Sequence, residues 1–227
     1  VAAALEQCRV ASDGIEGSCL MVKKPTTEEE LARANEKSKK RKESRDKMLA
    51  DKTVEKGLLI VHTGKGKGKS TAAFGLAARA IGNGMKIGVV QYVKGKWETG
   101  ERGVLDHFPD QVTIRTMGEG FTWETQDKAR DIAAAEAAWA VSKEMIADTS
   151  YDLVILDELN IVLRYDYLDI EDVLETFRNK RDMLHVVVTG RNAKPELIEI
   201  ADLVTEMTQI KHPFREQNVR AQKGIEF

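Results

Sequence analysis

The fold is decided by one short stretch, Thr63-Gly64-Lys65-Gly66-Lys67-Gly68-Lys69-Ser70-Thr71. An apolar run, Leu58-Leu59-Ile60-Val61, precedes it, and an alanine-rich segment from Ser70 to Ile81 follows it. A glycine-rich turn between a buried strand and a helix is the setting of a phosphate-binding loop, or P-loop. Its glycines let backbone N–H groups face phosphate oxygens, and the helix start adds partial positive charge. The stretch therefore predicts a site for a nucleotide polyphosphate.

Individual residues of the P-loop have distinct expected roles. Lys69 can reach a terminal phosphate, and the Ser70 hydroxyl suits Mg²⁺, which prefers oxygen ligands. Thr63 stands where the usual pattern has its first glycine, and Lys65 and Lys67 add positive charge. A flexible Gly/Lys-rich loop is the alternative, but the flanking strand and helix argue against it. We expect the whole stretch to contact the nucleotide.

Charged residues also follow later predicted strands. Asp157-Glu158 ends the apolar run Leu153 to Leu156, where an acid commonly holds the metal opposite the P-loop hydroxyl. The sequence leaves open which acid does so, and Asp157 could also cap the next helix. Arg191 follows another strand and is expected, with Lys69, to act on the triphosphate. Arg79 could also approach the triphosphate, but it could equally lie on a solvated helix face.

Strands and helices alternate from Gly57 onward. The predicted strands are 58–61, 86–92, 112–115, 153–156, 185–188 and 203–207, and the predicted helices are 70–81, 126–148, 170–180 and 195–200. This order favours an α/β fold, P-loop NTPase-like (RecA-like), with a mostly parallel sheet and helices on both faces. Ligands of such folds bind at the carboxyl ends of strands.

The part before Gly57 has a different composition. Residues 1–25 are expected to be a disordered extension, and residues 26–56 a charged helical arm starting at Pro25-Thr26-Thr27-Glu28-Glu29-Glu30. Residues 57–227 would form the P-loop domain. Because the chain opens with Val1, Met21 is a candidate internal start. Two cysteines near the N-terminus and no signal-peptide pattern favour the cytoplasm.

Composition and missing motifs exclude several classes of function. The net charge of −2 excludes a uniformly basic nucleic-acid coat, and no apolar run is long enough to cross a membrane. The guanine-reading pattern N-K-x-D is absent, which argues against a GTPase switch. Nor does the sequence contain a serine, histidine and acid grouping that suggests acyl transfer.

A glycine-flanked loop, Gly118-Glu119-Gly120-Phe121-Thr122-Trp123-Glu124, follows the third predicted strand. Phe121 and Trp123 are large apolar residues in a segment where loops usually expose polar groups. The loop could be tucked into the core, or it could form an apolar wall for a flat, bulky ligand. The residues alone leave both interpretations open.

Together these segments resemble the ATP:corrinoid adenosyltransferases of the P-loop type. The resemblance covers about Gly57 to Phe227. Besides the P-loop and Gly120-Phe121-Thr122-Trp123-Glu124-Thr125, it rests on Lys94-Gly95-Lys96-Trp97, Leu156-Asp157-Glu158-Leu159-Asn160, Tyr165-Asp166-Tyr167-Leu168, Thr189-Gly190-Arg191, Lys211-His212 and the terminal segment 221–227. In the family, the loop often has asparagine where this sequence has Lys65, and threonine where it has Ser70. Serine keeps the hydroxyl that would bind the metal.

The resemblance implies that Co(I) in a corrinoid attacks the 5′ carbon of ATP and that triphosphate leaves. It implies Mg²⁺ or Mn²⁺ as the metal, with ATP and a corrinoid (cob(I)alamin, cobinamide or cobyrinic acid a,c-diamide) as co-substrates. It also implies a flavoprotein reductase as electron donor, a homodimer, and no membrane or nucleic-acid partner. Phe121 and Trp123 would bind the corrin's lower face and exclude an axial ligand, and the arm at 31–50 would be a lid.

Two other classes remain as alternatives at this stage. One is a RecA-like ATPase that acts on nucleic acid through the lysine-rich arm. The other is a nucleotide-dependent regulatory module without chemistry. The reaction products separate them, because triphosphate indicates adenosyl transfer, ADP with phosphate indicates an ATPase, and unchanged ATP indicates a binding module.

Overall fold

The computed structural model of the protein describes residues 27–93, 100–117 and 127–226. The chain divides into two compact units between Val54 and Glu55. The predicted extension at 1–25 lies outside the described residues, and so do Phe121 and Trp123. No helix among the described residues is long and apolar enough to cross a membrane.

The first unit contains one long helix, α1 (Glu28–Ala50). Thr27 caps it: its hydroxyl accepts a hydrogen bond from the Glu30 amide, and the Glu30 carboxylate accepts one from the Thr27 amide, both at 3.2 Å. Such a capping box satisfies amides that a helix start leaves without partners. No residue of α1 is buried, which confirms the prediction of a charged, solvated helix that starts near Thr27.

The second unit is built on a parallel sheet. Its strands are β1 (Leu59–Thr63), β2 (Ile87–Gln91), β3 (Val112–Thr116), β4 (Leu153–Asp157), β5 (His185–Thr189) and β6 (Leu203–Glu206). They lie in the order β3-β2-β4-β5-β1-β6, and every neighbouring pair is parallel. Strands β1, β2 and β4 are buried along their whole length, which explains their continuous apolar character. The predicted parallel α/β sheet is confirmed.

Helices cover both faces of this sheet. They are α2 (Lys69–Gly82), α3 (Gly100–Leu105), α4 (Lys128–Ala147), α5 (Leu159–Arg164), α6 (Ile170–Arg178), α7 (Pro195–Ile200) and α8 (Pro213–Glu216). Alternate residues of a strand point to opposite faces, so Ile155 packs in the cluster of α2 and Leu156 in the cluster of α4, α5 and α6. The prediction of helices on both faces is confirmed.

Three of the helices in the described residues were not predicted from the sequence. Helices α3 and α5 have six residues each and α8 has four, too few for a helical period to stand out from the pattern. Strand β1 also runs further than predicted, so Thr63 is the last residue of a buried strand rather than part of the loop. This placement determines what the Thr63 side chain can contact.

Candidate active site

The P-loop between β1 and α2 is closed on one side by the chain that leaves β6. Gly64 has φ 98°, and a Cβ at this position would lie 2.4 Å from the Met207 carbonyl oxygen. The Gly66 amide donates a hydrogen bond to the same carbonyl at 2.7 Å. The sequence predicted this amide to face a phosphate, but β6 lies directly beside β1, so the chain after β6 reaches the loop. Glycine is therefore required at position 64.

Lys69 is the buried cation of the loop. Its side chain is folded back, so that Nζ donates hydrogen bonds to the carbonyl oxygens of Gly64 at 3.0 Å and Gly66 at 2.6 Å. The residue is only 6% exposed. A buried ammonium needs acceptors to offset its lost hydration, and here the loop's own carbonyls supply them. The Lys69 ammonium, which was predicted to reach a phosphate, is thus hydrogen-bonded to the backbone of the loop.

Several charges surround Lys69. Burial lowers the pKa of its ammonium, the negative charge of Glu158 raises it, and the positive charges of Arg191 and Lys67 lower it. Charges that shift one another's pKa lie within electrostatic range. The structure therefore brings Glu158 and Arg191, which are distant in sequence, to the P-loop cations Lys67 and Lys69.

The remaining loop residues line the mouth of the site. Gly68 precedes α2 with φ 101° and offers no side-chain cap, so the first amides of α2 are available to an anion. Ser70, the first-turn hydroxyl, is half-buried, whereas Lys65 and Thr71 are exposed. Lys67 forms an ion pair with Glu226 near the end of the chain, a contact that sequence reasoning missed.

Asp157 ends β4 and is completely buried within a hydrogen-bonded network. Thr189 donates its hydroxyl to Asp157 Oδ1 at 2.8 Å, and Gln91 Nε2 approaches Oδ2 at 3.4 Å. The Thr116 hydroxyl donates to Gln91 Oε1 at 3.0 Å, and the Glu158 amide donates to Thr189 Oγ1 at 2.9 Å. The network joins the carboxyl ends of β3, β2, β4 and β5. It holds the acid in one orientation at the edge where ligands bind.

The structure corrects one alternative for Asp157. The residue at the N-cap of α5 is Glu158, with φ 67°, and its side chain makes no capping hydrogen bond. Asp157 therefore does not cap this helix, because β4 continues through it and places it one residue too early. The capping interpretation was wrong.

The donor set at this edge fits a hard divalent cation. It offers the hydroxyl of Ser70 and the carboxylates of Asp157 and Glu158, which are the oxygen ligands that Mg²⁺ takes. Among the residues that the structure describes, no three His, Cys, Asp or Glu side chains cluster as a full metal cage.

Arg191 lies in a tight turn after β5. Gly190 has φ 128° and Asn192 has φ 56°, so left-handed residues stand on both sides of it. Arg191 is exposed and makes no hydrogen bond or ion pair within the described ranges. Its charge is thus available to a ligand at the P-loop. Arg79 is also exposed but lies ten residues along α2 from Lys69, about 15 Å away, so it belongs to the solvated helix face.

The two histidines on β-strands differ in their surroundings. His185 Nδ1 accepts a hydrogen bond from the Leu58 amide at 3.1 Å, so this ring takes part in the packing of the strand. His62 is buried on β1, and neither ring nitrogen has a hydrogen-bond partner in the described part of the chain. Burial lowers the pKa of both rings, which disfavours their protonated forms in the folded protein.

Sequence reasoning missed the residues that hold the site together. Gln91 and Thr189 support Asp157, and Asn160 Nδ2 donates to the Gly190 carbonyl at 3.2 Å. The available signal was a polar residue at the end of an otherwise apolar strand, as at Gln91 and Thr189. Such a residue sits at the ligand edge of a parallel sheet, and burial there requires a partner.

A P-loop after a buried strand of a parallel sheet, with an acid pair at the end of β4 and the cations Lys67, Lys69 and Arg191 beside it, defines a nucleotide-polyphosphate-binding protein. Over residues 55–227 the sequence matches the family described as ATP:corrinoid adenosyltransferase BtuR/CobO/CobP. The chain belongs to this family. It is a transferase of cobalamin biosynthesis that acts on ATP and a corrinoid, as expected from the resemblance.

Individual relatives agree with this assignment. A corrinoid adenosyltransferase of Sinorhizobium sp is 55% identical over 202 residues, covering 88% of this chain and 94% of the relative. One of Pseudomonas aeruginosa is 52% identical over 195 residues, covering 86% and 96%. Among solved structures, the RadB recombinase aligns with a TM-score of 0.43 at 14% identity, covering 70% of this chain and 78% of that one.

Proposed function

We propose that the protein transfers the 5′-deoxyadenosyl group of ATP to the Co(I) of a corrinoid and releases triphosphate. A cobalt–carbon bond forms at C5′, the bond from C5′ to the first phosphate-ester oxygen breaks, and its electron pair leaves with triphosphate. The observation that carries the proposal is the convergence of Lys69, Lys67 and Arg191 at one P-loop. Cations fixed where negative charge develops stabilise the transition state.

Lys69 and Arg191 are the residues proposed to act on the leaving group. In the resting loop the Lys69 ammonium is held by two backbone carbonyls, and a phosphate oxygen would replace them as acceptor. Arg191 would approach from the turn after β5, because its guanidinium has no partner among the described residues. No general base is required, since the attacking atom is cobalt rather than a hydroxyl or water.

Ser70, Asp157 and Glu158 are proposed to hold the divalent cation, Mg²⁺ or Mn²⁺. When bound, such a cation neutralises phosphate charge and orients the chain of phosphates. The protein's own contribution is orientation, because Thr189 and Gln91 fix the Asp157 carboxylate by hydrogen bonds. The negative charge of Glu158 raises the pKa of Lys69 and so opposes the lowering that burial causes.

Phe121 and Trp123 are proposed to bind the lower face of the corrinoid. Without its axial donor, cobalt(II) loses no donor bond on reduction and is therefore easier to reduce. The corrinoid would be cob(I)alamin, cobinamide or cobyrinic acid a,c-diamide, reduced by a flavoprotein. We further propose that the protein is a cytoplasmic homodimer.

The proposal is tested by anaerobic incubation with ATP, Mg²⁺ and chemically reduced cobalamin. The expected result is a light-sensitive adenosylcobalamin spectrum together with one equivalent of inorganic triphosphate. ADP and phosphate without a spectral change would instead identify an ATPase, and unchanged ATP would identify a binding module. Heat-denatured protein is the control for uncatalysed alkylation of Co(I).

A further inference from the structure

The side chain of Thr63, the first residue of the P-loop pattern, contacts the turn that follows β5. It is the last residue of β1, only 7% exposed, and stands where the usual pattern has glycine. Its Oγ1 accepts a hydrogen bond from the Ala193 amide at 3.0 Å. Ala193 lies two residues after Arg191, in the turn that follows β5. A glycine at position 63 could not make this contact.

The turn that contains Arg191 is held at both ends. At the first end the Asn160 side chain donates to the Gly190 carbonyl at 3.2 Å, and at the second end Thr63 accepts from Ala193. Close packing accompanies the first contact, because a Cβ on Gly190 would lie 2.8 Å from Asn160 Cβ. The two hydrogen bonds therefore fix the backbone on either side of Arg191.

Such fixing is needed because the turn is conformationally costly. Gly190 and Asn192 both lie in the left-handed region, with φ 128° and φ 56°. Glycine adopts this region without steric cost. Asparagine tolerates it better than most other residues, but Asn192 still keeps this conformation only when its surroundings determine it. An exposed arginine side chain on an untethered turn would sample many positions, and ordering it on ligand binding would weaken the affinity.

We propose that Thr63 is a positioning residue, whose hydroxyl ties the turn of Arg191 to the P-loop and so places that guanidinium on the triphosphate. This inference rests on the proposed function, in which Arg191 contacts the leaving group. It assigns to Thr63 a role through Arg191 rather than a direct contact with a phosphate. Thr63 already accepts from Ala193, and its burial at the end of β1 directs the side chain toward the turn.

The test uses inorganic triphosphate as the probe and titration calorimetry as the readout. Thr63→Val keeps the size and β-branching of the side chain but removes the hydroxyl, and Thr63→Ser keeps the hydroxyl. Each is made in the parent protein, and Thr63→Val is also made in an Arg191→Ala background. Thermal unfolding of every variant reports whether the strand and sheet are intact.

Arg191→Ala should weaken triphosphate binding ~10- to 100-fold, as expected for a lost charge-assisted hydrogen bond. Thr63→Val should weaken it ~5-fold or more in the parent, and Thr63→Ser should bind like the parent. In the Arg191→Ala background, Thr63→Val should have no further effect, because the guanidinium that it positions is gone. A purely structural residue would instead add its effect in both backgrounds.

Two results would overturn the positioning role while leaving the proposed function intact: parent-like binding by Thr63→Val, or an equal loss in both backgrounds. Parent-like binding by Arg191→Ala would show instead that the role of Arg191 in the proposed function is wrong, and the inference would fall with it. If Thr63→Val does not fold, Asn160→Ala removes the other tether and is measured in the same two backgrounds, with the same outcomes deciding.

Discussion

Replacing Lys69 by alanine is the perturbation whose size follows most directly from the structure. In the transition state this ammonium is expected to hold charge that moves onto the departing triphosphate. Loss of one such preorganised contact is worth about 3 kcal/mol, or roughly 10² to 10³ in turnover. ATP affinity should fall less than turnover, because the contact strengthens as charge develops on the leaving group.

The stability of the Lys69→Ala variant should change little. The resting protein loses two hydrogen bonds to loop carbonyls at 3.0 and 2.6 Å, each worth about 1.5–3 kcal/mol when charge-assisted. It also no longer buries an ammonium, whose desolvation costs several kcal/mol. These opposing effects have similar size, so the free energy of unfolding should move by less than about 2 kcal/mol.

The assay combines steady-state adenosyl transfer from pre-formed Co(I) with thermal unfolding. Lys143→Ala is the matched control, because it removes one lysine charge from α4, where Nζ pairs with Asp172 at 3.0 Å. That control should transfer adenosyl at the parent rate. A folded Lys69→Ala variant with near-parent turnover would remove the P-loop cation from the chemistry and refute the reasoning.

Three further predictions concern the metal, the corrinoid and pH. Asp157→Asn or Glu158→Gln should raise the Mg²⁺ concentration required for half-maximal rate more than the corrinoid requirement; unchanged metal dependence in both would make the pair structural. Phe121→Ala combined with Trp123→Ala should fail mainly from Co(II), and pre-formed Co(I) should recover much of the rate. An electron paramagnetic resonance signal of axially unligated Co(II), the same as in the parent, would disprove the shielding role. Burial and the charge of a neighbouring lysine lower the pKa of His185. The unfolded chain therefore takes up a proton at a higher pH than the folded protein, and stability should fall as pH drops below about 6.5. In His185→Asn the melting temperature should depend less on pH between 7 and 5, and an unchanged slope would exclude this residue as the cause.

The sequence was sufficient for the central elements of the fold because their signals are local. The P-loop sits between a buried strand and a helix, and the apolar run ending at Asp157 forms β4 as predicted. Thr27 and Glu30 form the predicted helix start. Each of these depends on neighbouring residues only, so periodicity and capping rules apply directly.

The contacts between distant segments at the site could not be predicted from such local signals. Thr63 meets Ala193, and Lys67 meets Glu226, across 130 and 159 residues of sequence respectively. Such pairs depend on strand order, which places β5 and β6 on either side of β1. Alternation of strands and helices predicts a parallel sheet but does not fix that order. The hydrogen bond from the Gly66 amide to the Met207 carbonyl also depends on this strand order.

The central claim is direct displacement at C5′, in which the protein supplies cations and orientation but no nucleophile. The measurement that tests it most directly uses ATP made chiral at C5′ by a single deuterium, with the configuration of the adenosylated corrinoid read by nuclear magnetic resonance. One direct displacement by cobalt predicts inversion at C5′. Retention would require two displacements, with the adenosyl group first bonded to a side chain of the enzyme, and would contradict the account.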